Sequence, residues 1–118
     1  FYNIWTVRFS SADANLLGYA QFPDQSGLAG LPAGGPASTD GVVVRYQSFG
    51  SADKGTFPVM EAPYNKGRTL SHETGHWLGL RHIWGDGNCA DDFVSDTPAA
   101  AGPSSGCPTG RVSCGGLN

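Results

Sequence analysis

Apolar and polar positions alternate most clearly at the start of the chain. Across residues 3–9, Trp5, Val7 and Phe9 fall on one side and Ile4, Thr6 and Arg8 on the other, the period of two of a half-buried strand. A polar turn, 10–15, follows. The apolar run 16–22 is stopped by Pro23 and Asp24 and reads as a second short strand. Residues 23–40 carry Gly27, Gly30, Pro32, Gly34, Gly35 and Pro36 with few large apolar side chains, so burial there cannot offset the entropy of ordering, and an extended surface loop is expected. Residues 41–49 concentrate β-branched and aromatic side chains and predict a third strand.

The period changes after a further loop, 50–63. From Asn65 to Leu78 the chain avoids proline and spaces Leu70, Trp77 and Leu78 near one helical face. Asn65 is of a type that caps a helix start, and Gly79 is of the type that ends one, so a helix over 65–79 is predicted. Beyond His82 no periodicity remains. Residues 85–118 are turn formers, aspartates and the three cysteines Cys89, Cys107 and Cys114, a stretch that needs cross-links or ions to hold a shape. There is no internal repeat and no heptad pattern.

Composition narrows the reading. A length of 118 residues gives one domain's material. A chain of this size hides only about 65% of its unfolded surface. Charged residues are 14% of the chain, below the usual value of about 25%, and 18 glycines with 8 prolines mark a loop-rich but folded protein. The net charge of −3, with no window rich in Lys or Arg, argues against nucleic acid as a partner. No apolar run approaches the roughly 20 residues of a membrane span, so no membrane is expected, and the first residues lack the features of a signal peptide. An odd number of cysteines leaves one of them free or partnered elsewhere.

The three histidines all fall within eleven residues. His72-Glu73-Thr74-Gly75-His76-Trp77-Leu78-Gly79-Leu80-Arg81-His82 fits H-E-x-x-H-x-x-G-x-x-H. Histidines at i and i+4 of a helix lie one above the other, so both imidazoles can reach one ion at about 2.0–2.1 Å. A straight helix would carry the third histidine about 9 Å further along the axis, so the backbone must turn, and Gly79 is placed to turn it. Three neutral nitrogens leave a zinc ion one open position for water, whose pKa falls to about 7. Glu73, beside the first ligand, can take a proton from that water and pass it to a leaving amine, which is peptide hydrolysis without a covalent intermediate. A purely structural zinc site would be closed by a fourth protein ligand and has no use for Glu73. A deaminase site would use cysteines with its histidine.

With these residues in view the chain resembles the metzincin clan of zinc peptidases. The string from Pro63 to Asp86, together with residues 17–23, Asp96-Thr97-Pro98 and Gly106-Cys107-Pro108, is similar to the pappalysin family, peptidase family M43. The resemblance implies an α+β fold in which a twisted mixed sheet packs on the active-site helix, ahead of an irregular Cys-containing C-terminal stretch. Along the chain it implies a partial catalytic domain: sheet strands and loop in 1–49, the active-site helix in 65–79, and the zinc loop with the start of a C-terminal subdomain in 80–118. It implies a secreted, extracellular zinc endopeptidase acting on a protein or peptide substrate. Glu73 would be the general base, with His72, His76 and His82 as zinc ligands. Leu17, Gly18, Tyr19 and Ala20 would lie on an upper edge strand that pairs with extended substrate, and an unpaired strand edge is a ready receptor for a peptide backbone. The resemblance further implies a calcium site at Asp92, the Ser95 carbonyl and Thr97. It also implies a disulfide between Cys89 and Cys114, leaving Cys107 for a cysteine further on.

The chain also departs from the family pattern. The only methionine, Met60, precedes the motif, so the methionine turn and its tyrosine are absent, and the family's first strands should precede Phe1. The missing turn argues against hydrolysis by these 118 residues alone. The partner it implies is the remaining C-terminal part of the same catalytic domain. The alternative reading is a catalytically inert zinc- or peptide-binding fragment. Asp86 and Asp91 read as solvated loop carboxylates.

Overall fold

Regular structure is confined to short stretches in a computed structural model that describes residues 1–24 and 26–117. The elements are β1 (Asn3–Val7), β2 (Gly18–Ala20), β3 (Gly41–Arg45), the helix α1 (Arg68–Trp77) and a terminal pair, β4 (Val112–Ser113) and β5 (Gly116–Leu117). The chain divides into two compact units, one of Phe1–Ser26 with Pro32–Gly79 and one of Gly27–Leu31 with Leu80–Asn118.

The first unit is a small mixed sheet on one helix. β3 is central, parallel to β1 with Asn3 opposite Gly41, and antiparallel to β2 with Gly18 opposite Val44. Parallel neighbours need a long connection, and the chain uses it to lay down β2 at the far edge before returning through a loop to β3. α1 packs against β3 and β2. The period of two then sorts β3: Val42 and Val44 are fully buried, while Val43 turns to the opposite face with Trp5, Val7 and Tyr19 around an open apolar hollow.

Several expectations are corrected here. β1 alternates as predicted but is not half-buried: Ile4 and Trp5 are exposed, because α1 leans on β3 and β2 and leaves β1 uncovered. β1 ends at Val7 and β3 at Arg45, after which the chain winds into a single 3-10 turn at Tyr46–Ser48. The helix starts at Arg68 with Gly67 as its cap residue, and Asn65 does not cap it. Asn65 is committed elsewhere, since its carbonyl accepts the Ala52 N–H beside the Ser51–Lys66 bridge that closes the preceding loop. The helix also buries a face that apolar periodicity does not mark. Thr69 and Glu73 are its buried residues, while Leu78 is 61% exposed.

The second unit has little apolar interior. Among the described residues Ala100 is its buried apolar residue, and Asp92 is buried as well. A disulfide joins Cys89 to Cys114 with Cα atoms 5.7 Å apart, and the Cys89 N–H donates to the Ala100 carbonyl. Cys114 and Gly115 both take left-handed backbone, the geometry of a two-residue hairpin turn between β4 and β5. Cys107 is exposed and free.

Candidate metal centre

α1 carries the first half of the motif. Residues 72 and 76 are one helical turn apart, and their side chains converge, Nε2 to Nε2, at 3.0 Å with the rings edge to face. Two nitrogens at about 2.0–2.1 Å from a tetrahedral ion stand about 3.3 Å apart, so this pair fits a shared zinc. Phe22, just past β2, packs its ring 5.3 Å from that of His76. Glu73, between the two histidines in sequence, is buried. Its side chain lies so close to β2 that a Cβ built on Gly18 would stand 2.9 Å from Glu73 Cγ and 3.0 Å from Oε1. Glycine at position 18 is what lets the helix carboxylate reach beneath the edge strand.

Side chains that the sequence reading did not single out fix the helix. The Trp77 indole N–H donates to Asp40 Oδ1 at 2.8 Å, tying the end of α1 to the entry of β3. Tyr2 packs on Trp77 with ring centroids 4.6 Å apart and hydrogen-bonds Thr74. No sequence pattern marks these, since they join residues tens of positions apart. After Trp77 the chain turns: Leu78 closes the helix, and Gly79, at φ 97°, adopts the positive backbone angle expected of it.

His82 belongs to the second unit and has its own surroundings. Its Nδ1 lies 2.5 Å from Asp86 Oδ1, and since a carboxylate only accepts, Nδ1 carries the proton. Trp84 stacks on the imidazole, centroids 4.3 Å apart and planes within 5°. Arg81 donates to the Gly85 carbonyl and to Asp86 Oδ2. The Asp86 carboxyl is held below the usual carboxylate range, first by the hydrogen bond from His82, with Arg81 adding to it against partial burial. The expectation that Asp86 is merely solvated is thereby corrected, and the signal was available as a carboxylate four residues after the third histidine.

The metal-ligating side chains that the motif offers are His72 and His76 on α1 of the first unit and His82 in the second. The donor set, three imidazoles, suits zinc. Asp92 is engaged locally, its Oδ1 accepting the Val94 N–H, and the Thr97 N–H donates to the Val94 carbonyl. Leu17 to Ala20 form and lead into β2, whose outer edge carries no strand among the described residues.

The small mixed sheet over a histidine-bearing helix has counterparts among known proteins. Residues 14–118 match the Peptidase M43 family, described as pregnancy-associated plasma protein-A, and the chain belongs to that family. It is 43% identical over 104 residues to an extracellular metalloprotease of Verticillium alfalfae, covering 86% of this chain and 33% of that one. It is 38% identical over 117 residues to extracellular metalloprotease 1 of Coccidioides posadasii, covering 98% and 38%. The fold is similar to that of mature mirolysin from Tannerella forsythia in complex with a cleaved peptide, with a TM-score of 0.69 and 42% identity over 92% of this chain and 36% of that one. The chain thus spans about a third of the length of these relatives.

Proposed function

We propose that this chain carries the zinc ligands and general base of a secreted, extracellular endopeptidase, with His72, His76 and His82 holding the metal and Glu73 moving the proton. The observation that carries the reading is the convergence of the His72 and His76 Nε2 atoms at 3.0 Å on the helix that buries Glu73 against β2. Zinc, when bound, lowers the pKa of water to about 7 and polarises a carbonyl. Glu73 takes the proton from the attacking water and returns it to the leaving amine as the peptide bond breaks. β2 orients the substrate: the backbone edge of Leu17, Gly18, Tyr19 and Ala20 receives an extended peptide as an added strand and holds its scissile carbonyl in one register. Mirolysin, 42% identical, is known in complex with a cleaved peptide, which supports a peptide or protein as the substrate here. Asp92, the Ser95 carbonyl and Thr97 remain the oxygen ligands proposed for calcium, and a calcium-dependent rise in melting temperature lost in Asp92→Ala is the expected signature.

The test is a peptidase assay on the full natural chain with matched zinc analysis. Chelator abolishes cleavage, His72→Ala loses zinc and activity together, and Glu73→Gln keeps zinc while activity falls by about 10²–10⁴-fold, the usual contribution of a general base. Undiminished activity in Glu73→Gln overturns the mechanism. A zinc-loaded wild-type chain that cleaves nothing overturns the peptidase and leaves a zinc- or peptide-binding role.

A further inference from the structure

His82 differs from the other two histidines in what holds it. His72 and His76 stand on α1, whose backbone fixes their direction, whereas His82 follows Gly79 in a segment with no regular structure. A ligand on irregular backbone must be oriented by side chains, and four observations show such a holder. Asp86 Oδ1 accepts a hydrogen bond from His82 Nδ1 at 2.5 Å. Arg81 contacts the other carboxylate oxygen at 3.4 Å and the Gly85 carbonyl at 2.9 Å, and its guanidinium lies 5.7 Å over the Phe93 ring. Trp84 covers one face of the imidazole in a near-parallel stack. Asp86 itself adopts left-handed backbone, φ 59°, a conformation that aspartate tolerates better than most residues and that sends its carboxylate back toward residue 82.

We propose that Asp86 and Trp84 are positioning residues for His82, fixing it as the Nδ1–H tautomer so that Nε2 is the nitrogen offered to the metal; this rests on the zinc-site reading above. A neutral imidazole in water favours the proton on Nε2, which would leave the wrong nitrogen with the lone pair. The carboxylate on Nδ1 reverses that preference, and the indole stack stops the ring from rotating. Arg81 bridges Asp86 Oδ2 and the Gly85 carbonyl and keeps the carboxylate aimed.

Two measurements on the full chain test this. In the metal-free, ¹⁵N-labelled protein above the imidazole titration, two-bond nitrogen–proton correlations show His82 as Nδ1–H. In Asp86→Ala it reverts to Nε2–H, while Asp86→Asn, which keeps an acceptor oxygen, retains Nδ1–H. In competition titrations against a chromophoric chelator, Asp86→Ala binds zinc about 10–100-fold more weakly than wild type, and Asp86→Asn recovers most of that loss. An Nε2–H tautomer in the wild-type protein, which needs no variant to fold, overturns the proposal, as does unchanged zinc affinity in Asp86→Ala. A wild-type chain that binds no zinc overturns the zinc-site reading instead, and the tautomer measurement then still decides whether Asp86 holds His82.

Discussion

Gly18 is the residue on which the site's closeness most depends. A methyl group there would meet Glu73 Cγ at 2.9 Å and the Val43 carbonyl at 2.9 Å. The carboxylate chain could swing aside, but the Val43 carbonyl is locked in the central strand, so Gly18→Ala must displace β2 or Glu73. The expected cost is about 1–3 kcal/mol of stability, as for other overpacked sites, with a larger loss of the proposed peptidase activity because the proposed general base moves. Gly102→Ala is the control, since no atom lies within 4 Å of a Cβ there. Equal stability and activity in the two variants would refute the close-approach argument. The same scale shows why Glu73 could be named from spacing while its surroundings could not: the motif gives the residue type, and the strand above it is 55 positions away in sequence.

At the scale of elements, the sheet edge depends on Arg45. From the end of β3 its guanidinium donates to the Ala14 carbonyl and to Gln47 Oε1, each at 3.0 Å, and pairs with Glu61. Its N–H also donates to the Leu17 carbonyl, and the buried Ser48 hydroxyl donates to the Leu17 and Arg45 carbonyls. One side chain thus ties the lead into β2, the turn after β3 and the loop before α1. With only 16% of the side chain exposed, Arg45→Met should cost about 2 kcal/mol in urea unfolding, since charged hydrogen bonds are lost and the partners left behind are partly buried. A midpoint unchanged from wild type would show the network to be decorative. In sequence Arg45 interrupts an apolar strand and gives no hint of these partners. The helix start has a similar lesson, because Asn65 has the right chemistry for a cap but Gly67 takes the cap position, while the Asn65 carbonyl accepts the Ala52 N–H.

At the scale of the whole molecule, the second unit is held by connection more than by burial. Its buried apolar side chain is Ala100, and the Cys89–Cys114 bond closes a separation of 25 residues, worth about 3 kcal/mol in the chain-entropy account. Reduction should therefore open 87–116 to proteolysis before the sheet and α1 are attacked. Cleavage appearing first within 41–77 would contradict this ordering. The sequence by itself named the candidate chemistry: the H-E-x-x-H-x-x-G-x-x-H spacing picks out three imidazoles and a carboxylate, because helical periodicity and a glycine turn are local properties. It also located the three strands, because alternation and β-branching are local too. Tertiary structure alone decided which strand is central, that the helix face over the sheet is Thr69 and Glu73, and that Asp40 and Tyr2 tie down the end of α1. Those outcomes turn on which surfaces meet, and a chain with so few large buried side chains writes that choice in hydrogen bonds and close backbone approaches, not in a hydrophobic pattern.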